Sequence, residues 1–102
     1  MEKVIVVREE HLTKAIQDME WGRPRNQNCV LAHAAKEVLS DFHSCSAHVV
    51  TTKQGSKNMT LFYPARGDEG MMDLVNTFDS EDYEAVAKML PLTIKIQVRP
   101  AE

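Results

Sequence analysis

The sequence predicts an α+β fold in two layers, four mostly antiparallel strands packed on three or four helices, and three observations carry the prediction. Apolar residues recur at helical spacing around Leu12, Leu31 and Leu74. A strictly alternating strand runs from Leu92 to Val98, and two β-prone runs, Ala47 to Thr52 and Met59 to Tyr63, flank a polar connection containing Gly55. Amphipathic helices need an apolar sheet face to cover, and the order β-α-α-β-β-α-(α)-β satisfies this most economically with two layers. At 102 residues the chain is expected to form one domain, residues 1–102, around one core.

Each element has a local reason. Lys3 to Val7 is a β-branched run without alternation, which predicts a central strand covered on both faces, by helices or by a partner subunit. Leu12, Ala15, Ile16 and Met19 then mark a first helix, with Glu9 and Glu10 at the positive end of its dipole. Residues 21–28, with Gly22, Pro24, Asn26 and Asn28, break that pattern and predict a loop in which Asn28 caps the next helix. From Cys29 the residues Leu31, Ala34, Ala35, Val38 and Phe42 form one stripe, flanked by Leu39, so a second helix is expected to reach Phe42.

Lys53 to Asn58 suits a hairpin between the second and third strands. Met71, Leu74, Val75 and Phe78 predict a third helix ending near Asp79. Tyr83, Val86, Ala87 and Leu90 predict a short fourth, capped by Ser80 and stopped by Pro91. In the last strand, Leu92, Ile94, Ile96 and Val98 define the buried face.

Composition narrows the function classes. A net charge of −3 gives no overall positive field, so generic nucleic-acid binding is not expected. The longest purely apolar run, Val4 to Val7, is far shorter than the roughly 20 residues that cross a bilayer, so no membrane association is expected. Charged residues throughout the first ten positions leave no apolar centre for a secretory signal, and a cytoplasmic protein is expected. The two cysteines, Cys29 and Cys45, are then expected to be free thiols.

Glu10-His11-Leu12 after an opening strand, Cys29-Val30-Leu31-Ala32 at a helix start, and Phe78-Asp79 ahead of a closing strand together resemble a group of small uncharacterised bacteriophage and prophage proteins. The resemblance implies a viral or prophage origin, hence the cytoplasm of a bacterial host, and carries no activity with it. This chain differs from that group in having Arg8 where a capping Thr is usual, and in adding the Arg23-Pro24-Arg25 loop and the Tyr83 helix.

Three constellations could carry chemistry. Cys29 and His33 lie one helical turn apart, and a thiol at a helix N-terminus has its thiolate stabilised by the dipole, the beginning of a Cys/His hydrolase. That nucleophile would also need an orienting group and an oxyanion hole, and no signature of either is present. Cys29, His33, His43, Cys45 and His48 offer five nitrogen or sulfur ligands from which a zinc site could draw, although the usual two-residue gap between paired cysteines is missing. Arg23, Arg25, Asn26 and Asn28 bring guanidinium and amide donors to the start of the second helix, where an anion or nucleotide could dock with Trp21 as a stacking face.

The acidic runs Asp68-Glu69 and Asp79 to Glu84 flank helix starts and are explained by the dipole, and Met71-Met72 by packing. No cofactor is expected. The reading these observations favour is a noncatalytic phage-type accessory protein that binds a host macromolecule, with a homodimer covering the open side of the sheet as one arrangement. The alternatives are a nucleotide or anion binder at residues 23–28 and a small Cys/His hydrolase.

Overall fold

A computed structural model describes residues 2–54 and 58–98. The elements are β1 (Glu2–Val7), α1 (Glu9–Glu20), α2 (Arg25–Asn28), α3 (Val30–Val38), β2 (Phe42–Cys45), β3 (Val50–Gln54), β4 (Asn58–Pro64), α4 (Gly70–Asp79), α5 (Tyr83–Met89) and β5 (Leu92–Val98). The α+β expectation holds, with five strands in place of four. They form one antiparallel sheet in the order β1-β5-β4-β3-β2.

The register explains which side chains are buried. Ile5 pairs with Ile94, Lys3 with Ile96, Phe62 with Val98 and Val50 with Phe62, and residues directly opposite one another share a face. Ile5, Val7, Ile94, Ile96, Val50 and Phe62 therefore point to the helices and are buried, while Val4, Met59 and Leu61 point to the uncovered face and stay exposed.

This corrects the expectation for the opening strand. Among the described residues β1 is an edge strand, paired to β5 alone, and its run of β-branched residues is divided between a covered and an uncovered face; Val4 is 42% exposed. Pro64 is accommodated on β4 because it faces Ile96, a position that does not need a proline N–H toward β5.

α3 occupies the centre of the helical layer, with Val30, Leu31, Ala32, Ala34 and Ala35 all buried against α1, α4, β1 and β2. Its three alanines allow this close approach on several sides at once. The helix is shorter than its apolar stripe suggests. It ends at Val38, which is 40% exposed, because Leu39 turns to φ −114°, ψ 102° and Phe42 opens β2. Residues 25–28, expected as loop, form the single turn α2, and the cap of α3 is Cys29 instead of Asn28.

α4 ends at Asp79 as the spacing predicts. α5 follows, capped by Asp82, whose side chain accepts the Ala85 N–H at 3.1 Å, and not by Ser80, whose hydroxyl donates back to the Asn76 carbonyl. β3 begins at Val50, three residues later than expected, and pairs with β4 as the hairpin requires; the connecting residues 55–57 lie outside the described set. Phe78, fully buried, meets the Tyr83 ring at a centroid distance of 5.3 Å and joins α4 to α5. No helix among the described residues is long and apolar enough to cross a membrane.

Candidate functional site

Several of the polar side chains singled out in the sequence, Arg23, Cys29 and His33, lie at α3 or at the end of α1. Gly22, at φ +74°, follows the C-cap Trp21; its N–H reaches the Met19 carbonyl at 3.1 Å and the Arg23 N–H reaches the Asp18 carbonyl at 3.0 Å. These are the two hydrogen bonds of a Schellman motif, and the left-handed position is one that glycine occupies without strain. The turn folds Arg23 back over the end of α1, where its Nη1 donates to Asp18 Oδ1 at 2.7 Å. The other oxygen of Asp18 meets His33 Nε2 at 2.5 Å.

Asp18 is thus a buried carboxylate held between a guanidinium and an imidazole. Burial alone would raise its pKa, but the hydrogen bond and charge of His33, reinforced by Arg23, hold it below the usual value. For His33, burial, joined by the positive charges of Lys36 and Lys14, disfavours the charged ring against the hydrogen bond and charge of Asp18, and its pKa falls.

Cys29 turns to a different partner. As the N-cap of α3 its Sγ accepts the Ala32 N–H at 3.4 Å, and the same sulfur lies 3.4 Å from Cys45 Sγ at the end of β2. Both thiols are free and buried, 3% and 6% exposed. Hydrogen bonding from Cys45 lowers the Cys29 pKa against the effect of burial, helped by the backbone N–H groups of Ala32 and Leu31. Cys45, through its hydrogen bond with Cys29 and its burial, is pushed well above the usual thiol range. The sulfurs sit in the wall of a cleft of about 320 Å³ that also takes in Arg25, Asn26, Ser46 and Asp79.

The expected hydrolase pair is not assembled: Cys29 is bonded to Cys45, and His33 to Asp18. Nor does the five-ligand metal set converge. Cys29 and Cys45 meet, His33 is held by Asp18, and His48 is exposed, with its backbone N–H donated to Ser46 Oγ. His43 lies on β2, its Nδ1 buried with no hydrogen-bond partner among the described residues.

Among the described residues, the cluster with metal-ligand spacing is Glu10, His11 and Glu37. There the fully buried His11 accepts the Arg8 N–H on Nδ1 at 2.9 Å, so its proton sits on Nε2 and is donated to Glu37 Oε1 at 2.7 Å. A cation on Nε2 would have to displace that proton while Nδ1 stays an acceptor, which demands an imidazolate. The arrangement is explained instead as a cap: His11 fills the third helical position of α1 and satisfies the N-cap N–H, the part a Glu or Gln plays in a capping box.

The anion donors are likewise committed. Arg23 serves Asp18, while Arg25 donates to the Asp79 carbonyl at 3.0 Å and to Glu81 Oε1 at 3.1 Å. Asn28 Nδ2 donates to the Pro24 carbonyl at 2.9 Å. Two carboxylates beside Arg25 oppose an incoming anion. Trp21 stands 79% exposed at the end of α1.

Sequence reasoning missed Asp18 and the meeting of Cys29 with Cys45. The first had a signal, an Asp followed by Gly22 and Arg23 at Schellman spacing; the second depends on β2. No family model matches the chain, and no curated protein or solved structure is significantly similar to it.

Proposed function

We propose that this chain is a noncatalytic accessory protein of phage type that acts by binding other macromolecules, beginning with a second copy of itself. The observation that carries the reading is the open edge of β1. Lys95 accepts the Ala65 N–H on its carbonyl at 2.8 Å, so its backbone polar groups face β4. By the alternation of a strand, those of Ile94 and Ile96 face β1, and their partners Ile5 and Lys3 face back. The N–H and C=O groups of Val4 and Val6 then point outward from the sheet edge.

Long regular edges of this kind are normally blunted by a proline, a bulge or inward charge; β1 has no proline and no bulge, and its one inward-facing charge is Lys3, opposite Ile96 near the start of the strand. A second β1 completes it. An antiparallel pairing centred on Ile5 sets Val4 of each copy opposite Val6 of the other, matching the outward-facing groups, and sets Glu2 opposite Arg8. Asp18, His33, Arg23, Arg25 and Asn28 are engaged with one another or with the backbone, which favours a binding surface over a reaction centre. The ten-stranded sheet that results presents Val4, Met59 and Leu61 on its uncovered face to a host component.

Sedimentation across a concentration series tests the reading. The wild type is expected to approach twice the 11.5 kDa chain mass, and Val4→Pro, which removes an outward N–H and leaves the ladder to β5 intact, is expected to stay monomeric. A bacterial protein retained by the immobilised dimer is expected to be lost with Leu61→Lys. A wild type that remains monomeric at every concentration contradicts the proposal.

A further inference from the structure

We propose that Cys29 and Cys45 form a redox-active dithiol that exchanges with low-molecular-weight disulfides and closes to an intramolecular disulfide. The site lies at the β2 edge of the sheet, opposite β1, and the inference does not depend on pairing between copies. Its basis is an arrangement of three parts. The sulfurs are already 3.4 Å apart; one of them caps the nine-residue helix α3, with the Ala32 N–H directed at it; and both line an open cleft of about 320 Å³. A helix N-terminus stabilises a thiolate, and a thiolate is the species that attacks a disulfide.

The geometry also assigns the roles. Cys29 is the sulfur at the helix start that accepts the Ala32 N–H, so it is the attacking group, and Cys45, which has no such donor among the described residues and lies 3.4 Å away, is the resolving one. Closing the pair requires the sulfurs to approach from 3.4 Å to about 2.05 Å. The strand carrying Cys45 can supply that movement, since β2 is a four-residue edge strand whose register slips between Phe42 and Ser44.

The exchange balances with a disulfide R–S–S–R as oxidant. The Cys29 thiolate attacks one sulfur, forming Cys29–S–S–R and releasing RS⁻. The Cys45 thiol gives its proton to the released thiolate and attacks Cys29 Sγ, expelling the second RS⁻, which is protonated from solvent. Two electrons pass from the protein dithiol to the disulfide, and two RSH leave.

Equilibration of the reduced wild-type protein in a series of glutathione buffers, with acid quench and mass spectrometry after alkylation of the unfolded chain, tests this. The expected product of oxidised buffers is a chain lighter by two hydrogens with neither cysteine alkylated, converted back by reduced buffer. Cys45→Ser is expected to stop at one glutathione on Cys29, and Cys29→Ser to react about tenfold or more slowly at Cys45. Wild-type chains that keep both thiols alkylatable in fully oxidised buffer, that carry two glutathiones, or that link between chains would overturn the proposal. The wild-type result decides the matter even where a variant fails to fold.

Discussion

Asp18 shows how a single buried charge can organise its surroundings. It faces Arg23 and His33, and both partners are brought to it by backbone devices, the Schellman turn after α1 and the position of α3 against that helix. Such a carboxylate is stable only while its partners remain, since a buried charge left alone is far more costly than a pair. The pH dependence follows from the directions of the shifts. His33 binds its proton less readily in the fold than its ordinary value of 6.5, so the unfolded chain takes up more protons as pH falls past that value, and acid favours unfolding. The lowered Asp18 adds a loss of the same sign, beginning near its ordinary 3.8 and continuing to its lower folded value. Denaturant titrations from neutral to acid pH are therefore expected to show stability declining in two stages, with His33→Asn removing the upper one. An unchanged profile in that variant would show that His33 is not the group responsible.

At the scale of elements, the ends of the helices decide more than their middles. Gly22 holds φ +74° at the close of α1 with open space around the place a Cβ would take, so Gly22→Ala is expected to lose about 1 kcal/mol through backbone strain alone, and Gly22→Asn less. Equal stability of the two variants would contradict that account. Elements with a long period were legible in the sequence: α1, α4, α5 and the alternating β5 stand where their apolar residues put them. β2 was not, because Phe42 sits four residues after Val38 and continues a helical stripe that the backbone abandons at Leu39. The loss of β2 also hid the site, for Cys45 reaches Cys29 only from the end of that strand. The edge position of β1 was illegible for another reason: a run such as Val4-Ile5-Val6-Val7 reads the same whether a second strand or a partner covers its far side.

At the scale of the whole molecule, the sheet has two unlike edges. β2, short and irregular, ends beside the thiol pair and the cleft, while β1, regular and β-branched, ends the other side with no further strand along it among the described residues. The helices cover one face of the sheet and leave the other with exposed Val4, Met59 and Leu61 among polar neighbours such as Lys95 and Thr93. The proposed two-fold pairing through β1 would cover this edge and join two such faces into one surface. Amide hydrogen exchange at Val4 and Val6 tests this most directly. In concentrated solution both amides are expected to be protected as strongly as those of Lys3 and Ile5, which face β5, and to lose that protection on dilution. Fast exchange at Val4 and Val6 at every concentration, beside slow exchange at Lys3 and Ile5, would show that β1 remains open and contradict the account.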